Sequence, residues 1–105
     1  MHPPPFSCED LKGIGSLNTA CELIYKLNIT QDVYIEGNGN FFILQEISLT
    51  CSELDCSIEI NITDEFRLNP FAKIVGGSVY ILVGNASLFG DSLINVTAFT
   101  ENVMY

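Results

Sequence analysis

Basic residues are scarce in this chain: four lysines and arginines stand against thirteen aspartates and glutamates over 105 residues, a formal net charge of −9. Binding nucleic acid depends on neutralising phosphates, so nucleic acid is excluded as a partner. Histidine occurs once, as His2 in a proline-rich start, so no Ser/His/Asp nucleophilic set and no Cys/His zinc site can be assembled. Long apolar runs are missing too. The longest uncharged stretch, residues 74–90, falls short of the ~20 predominantly apolar residues a spanning helix needs and is interrupted by glycines, serines and Asn85. Residues 1–7 read MHPPPFS and offer neither the basic start nor the apolar run of a signal peptide. The chain as it stands is therefore expected either to stay out of the secretory pathway or to lack its natural start.

Tryptophan is absent as well, and only 16% of residues are charged, whereas 48% are apolar. That is enough apolar material for one domain with one core. The apolar set is dominated by Ile, Val, Leu and Phe, and nine Asn and eight Gly punctuate it, a composition of strands and turns. The carboxylates at Glu9, Asp10, Glu36, Glu53, Asp55, Asp64 and Glu65 lack EF-hand spacing and read as solvated surface.

Four cysteines fall into two local couples, Cys8 with Cys21 and Cys51 with Cys56. An even count at short range suits two disulfides in an oxidising compartment, although the sequence leaves other pairings, and four buried thiols, open. Neither couple has C-x₂-C metal spacing. The acceptor pattern N-x-S/T begins at Asn28, Asn61, Asn85 and Asn95, against about one site expected by chance from the composition. Together with the cysteines this excess points to a glycoprotein. The competing reading is that Asn and Thr serve turns and strands.

Along the chain, residues 1–9 read as a disordered leader, residues 10–31 as an N-terminal cap and residues 32–105 as a stacked β-coil domain with an open C-terminal edge. Within the cap, Thr19 and Glu22 form a capping box, while Cys21, Leu23, Tyr25, Leu27 and Ile29 alternate as in a strand; a short helix followed by a strand is expected. Strand-like runs follow at 33–36, 41–44, 47–51, 57–62, 79–83 and 92–99. Ile58, Ile60 and Ile62 alternate with Ser57, Glu59 and Asn61, which turns the isoleucines inward and Asn61 outward.

Overlaying the runs brings Ile58 and Ile60 onto Val79 and Ile81 at a spacing of 21, Phe66 onto Leu88 and Ile74 onto Val96 at 22, and Phe42 onto Phe66 at 24. The longer first step is expected to bulge out between Cys51 and Cys56. The fold predicted is all-β, a short parallel β-helix of about three coils with a 21–22-residue repeat and a small helical and strand cap. A small β-sandwich, with antiparallel hairpins, is the alternative.

The segments DLKGIGSLNT at 10–19, DVYIEGNGNF at 32–41 and NASL at 85–88, with Cys21, Cys51 and Cys56, resemble the N-terminal extracellular region of the large plant glycine-rich proteins, also called ephrin-receptor-like. The resemblance covers most of this chain and a small leading part of such proteins. It implies a secreted or membrane-tethered β-helical ectodomain, followed in the family by glycine-rich segments and membrane spans, and it supplies no catalytic residues. The chain lacks the family's signal peptide, and its last residues replace the start of the glycine-rich region, so it resembles a truncated copy. Without a signal sequence its cysteines would stay reduced and its acceptor asparagines bare.

Gly13-Ile14-Gly15 and Gly37-Asn38-Gly39 lack the third glycine and helix of a dinucleotide site and read as turns. No cofactor is expected. The one cluster with chemistry is Asp64, Glu65 and Arg67, which a polysaccharide lyase would use as base and positive group; a charged turn is the simpler reading. Two functions follow. The first is a noncatalytic structural or interaction module whose partners are cell-wall polysaccharide or the rest of a larger ectodomain. The second is a remnant of a pectin-lyase-like, carbohydrate-active β-helix.

Overall fold

The computed structural model describes residues 4–53 and 56–96. Ten strands fill them: β1 (Ile14–Gly15), β2 (Ala20–Leu23), β3 (Leu27–Ile29), β4 (Val33–Gly37), β5 (Asn40–Ile43), β6 (Ser48–Cys51), β7 (Ser57–Leu68), β8 (Lys73–Gly76), β9 (Ser78–Leu88) and β10 (Leu93–Val96). All pairings are parallel except that of β1 with β2. The chain is a β-solenoid of about three turns, and the parallel ladders rule out the sandwich.

Each coil contributes to three faces. The first stacks β4, residues 57–62 of β7 and residues 78–83 of β9. The second stacks β2, β5, residues 65–68 and residues 85–88. The third stacks β3, β6, β8 and β10. Because side chains alternate and the strands are in register, inward residues form continuous columns: Val33–Ile58–Val79, Ile35–Ile60–Ile81, Leu23–Ile43–Leu68–Leu88 and Leu27–Leu49–Ile74–Ile94. Ile35, Ile58, Ile60, Ile74 and Ile81 have no accessible surface, and burying each contributes roughly 1.5–3 kcal/mol. On the second face Phe41 and Phe66 stack with ring centroids 5.9 Å apart.

The repeat is real, but several registers differ from those read off the sequence. Ile58 does lie on Val79 and Ile60 on Ile81. Phe66, however, lies on Ala86 and Leu68 on Leu88, Ile74 lies on Ile94, and Phe66 pairs with Phe41 in place of Phe42. The register shift between Ile62 and Glu65 accounts for the first: β7 spends one more residue at the corner than β9 does. The step from Leu27 to Leu49 is 22 residues and that from Val33 to Ile58 is 25, so three extra residues lie between β6 and β7, where the Cys51–Cys56 loop was expected to bulge.

No helix occurs among the described residues, which corrects the short helix expected within 16–27. Cys21 and Leu23 point inward and β2 pairs with β5, so the period-2 burial pattern overrides the capping box, and the stack begins at Ala20. Capping the base falls to residues 6–13, the start of the expected cap together with the end of the segment whose composition reads as a disordered leader. Phe6 N–H donates to Tyr34 O at 2.7 Å. Ser7 and Asp10 exchange side-chain-to-backbone hydrogen bonds at 3.0 Å, and Leu11 plugs the core with no accessible surface.

The corner between the first two faces is tight. A Cβ on Gly37 or Gly39 would run into the carbonyl oxygens of Leu17 and Thr19 in the coil below, which is why Gly37-Asn38-Gly39 serves as a turn. At the far end, no described strand pairs with the outer edge of β9 or β10. Residues 97–105, on which the expectation of an open C-terminal edge rests, lie outside the described residues.

Candidate functional site

Both local cysteine couples are disulfides. Cys8 and Cys21, with Cα atoms 5.8 Å apart, tie the base cap to the first strand of the stack, and both are buried. Cys51 and Cys56, 5.9 Å apart, close the extra loop between β6 and β7. The Gln31 carbonyl oxygen lies 3.1 and 3.2 Å from their sulfurs. Cys56 O accepts from Gly77 N and Ser78 N at 2.7 and 3.0 Å, which anchors the loop to the next coil.

The acceptor asparagines sit on different faces and are not brought together. Asn28 is exposed on β3 of the third face, and Asn85 is exposed on the second half of β9. Asn61 is half-buried on the first face, between Glu36 and Leu82 in its column. Its side chain faces outward, as expected, while its neighbours Ile60 and Ile62 are buried, and it is less exposed than Asn28 or Asn85. Asn95 has its backbone opposite Val75; its exposure lies outside what is described.

Of the lyase candidates, Glu65 and Arg67 meet and Asp64 does not join them. Along β7 the Arg67 guanidinium lies 3.2 Å (Nη2 to Oε1) and 3.4 Å (Nε to Oε2) from the Glu65 carboxylate, and Ser87 Oγ donates to Oε2 at 2.9 Å. The guanidinium carbon stands 4.4 Å above the Phe42 ring and 5.9 Å from that of Phe89. Hydrogen bonds from Arg67 and then from Ser87 hold the Glu65 carboxyl below its ordinary range. A carboxylate stabilised in this way is a weaker base, and a cation bound to it is not available to a substrate anion. Asp64 is exposed at the corner. The aromatic partners of Arg67 escaped the sequence reading, yet the 25-residue step that sets Phe42 beside Arg67 is the signal that would have found one of them.

Among the described residues no group of His, Cys, Asp and Glu is arranged to hold a metal ion, and no helix is long and apolar enough to cross a membrane. The chain matches no protein-family model, no curated protein and no solved structure.

Proposed function

We propose that the chain is a noncatalytic structural and interaction module of an extracellular or cell-surface protein, of the kind its resemblance to the plant glycine-rich proteins implies. The observation that carries this reading is the buried Cys8–Cys21 disulfide joining cap to stack, because structural disulfides persist in oxidising compartments. The exposure of Asn28 and Asn85 supports it further, since a glycosylated asparagine must face solvent. Engagement of Glu65 with Arg67 favours a noncatalytic role over the carbohydrate-active alternative.

Expression of the chain through a eukaryotic secretory pathway tests the reading. Thiol alkylation before and after reduction should find all four cysteines protected until reductant is added. Enzymatic removal of N-glycans should lower the mass, with the glycans mapped to Asn28 and Asn85 and none on Asn61. Freely alkylated cysteines together with bare asparagines would sink the extracellular reading. Cleavage of pectic substrates by the same preparation would reinstate the enzyme.

A further inference from the structure

Two recesses of about 410 and 440 Å³ run along the corner between the first and second faces, and both are lined by Asn18 and Glu36. The two recesses adjoin at these shared residues, and together they make a groove that passes from the base cap to the coil above it. Phe6 stands at its lower end, and Asn38, Asn61 and Thr63 continue it upward. We infer that this groove binds a neutral, hydroxyl-rich chain, an uncharged oligosaccharide. The inference rests on the interaction-module reading and deepens it.

The argument begins with what holds the side chains in place. Asn18 Oδ1 accepts from Asn38 N at 3.2 Å, Thr63 Oγ1 donates to Asn38 Oδ1 at 3.3 Å, and Glu36 Oε2 accepts from the Tyr34 hydroxyl at 3.0 Å. Each bond fixes a rotamer and leaves capacity over: the amide N–H groups of Asn18 and Asn38, the second oxygen of Glu36 and the lone pairs of Thr63. Asn18, Asn38 and Thr63 belong to successive coils, about 4.8 Å apart, so donors and acceptors recur on the scale of neighbouring sugar rings. Preorganised donor and acceptor pairs of this kind recognise hydroxyl groups, which are both.

The groove's charge selects among sugars. Glu9 and Glu36 line it, and no lysine or arginine is among its described lining residues, so a uronate polymer would be repelled. A peptide fits less well, because peptide recognition uses apolar side-chain pockets or a free strand edge, and the upper recess is lined almost wholly by polar groups. Phe6, half-buried at the base, offers the one apolar ring on which a sugar face can rest.

The test uses the full chain with both disulfides formed and its asparagines bare, titrated with cellohexaose, xylohexaose and mannohexaose, and with hexagalacturonate as the anionic probe. Backbone amide spectra should shift at Asn18, Glu36, Asn38 and Thr63 with at least one neutral hexasaccharide and not with hexagalacturonate. Asn38→Ala should weaken that binding tenfold or more, and Lys73→Ala, on the third face, should leave it unchanged. Should Asn38→Ala fail to fold, the near-isosteric Glu36→Gln is expected to weaken binding severalfold. Absence of shifts with all three neutral sugars, shifts centred on Phe42 and Arg67, equal binding of hexagalacturonate, or undiminished binding by the folded groove variant would each overturn the inference. Disulfides and glycans are scored on the secreted protein, so a negative titration removes the groove and leaves the extracellular module standing.

Discussion

Glu46, Phe71 and Asp91 share an unusual backbone, with φ of 63°, 64° and 60°, and each occupies the third position of the four-residue turn between the second and third faces. In each turn the amide of the fourth residue donates to the carbonyl of the first: Ile47 to Leu44 at 3.1 Å, Ala72 to Asn69 at 2.9 Å and Ser92 to Phe89 at 3.0 Å. This is the type II arrangement, with Pro70 at the position proline favours. The third position favours glycine, and a side chain there costs roughly 1–2 kcal/mol, less for aspartate. Glu46→Gly removes that cost and adds about 0.5–1 kcal/mol of backbone entropy to be lost on folding. The variant should therefore be more stable by up to about 1 kcal/mol, raising the thermal midpoint by several degrees; an unchanged or lower midpoint by circular dichroism would contradict this. Glu65 makes a second prediction, in pH. Its pKa is lowered from 4.5 by Arg67 and Ser87, so its stabilisation is complete above the ordinary carboxylate range and disappears as pH falls through the lowered folded value. Glu65→Gln should lose stability relative to the parent near neutral pH and match it in acid. A difference that persists undiminished in acid would assign the loss to something other than ionisation.

At the level of the strand, what the sequence made legible was alternation. Ile58, Ile60 and Ile62 announce a buried row because every second residue is apolar, and the row is fully inward. Ile60 is enclosed between Ile35 and Ile81, so Ile60→Ala should cost about 2–5 kcal/mol, whereas Leu82→Ala, at the next strand position after Ile81 and facing solvent, should fall within about 0.5 kcal/mol. Equal losses in urea denaturation would mean that the columns do not carry the stability. Corners were the illegible part. A register shift such as that between Ile62 and Glu65 leaves no mark on apolar periodicity, which is why Leu88 seemed to follow Phe66. The start of the cap, before residue 10, was illegible for a related reason: Phe6 joins by a single bridge to Ile35, which has no periodicity to read, and even Leu11, within the expected cap, is held by burial alone. The groove was hidden as well, because Asn18, Asn38 and Thr63 become neighbours only once the coil length is known, and then look like ordinary turn residues.

For the molecule as a whole, the disulfides decide how much of the stack survives outside an oxidising compartment. A chain of this size is stable by only about 5–15 kcal/mol. Cys8–Cys21 closes a 13-residue separation and Cys51–Cys56 a 5-residue one, and chain entropy assigns them roughly 3 and 2 kcal/mol. The larger one also fastens the base cap, with Leu11 and Cys8 buried against the lowest coil, so its loss uncovers apolar surface that the smaller loop does not guard. Replacing Cys8 and Cys21 together by alanine should therefore lower stability by about 3 kcal/mol or more, and replacing Cys51 and Cys56 should lower it by about 2, the two deficits adding because the sites are separate. Hydrogen exchange should show the first variant opening from Phe6 through Leu23 before the rest of the stack. If instead the Cys51 and Cys56 variant were the weaker and opened at β6 and β7 first, the loop between coils and not the cap would be the fastening that keeps this solenoid closed.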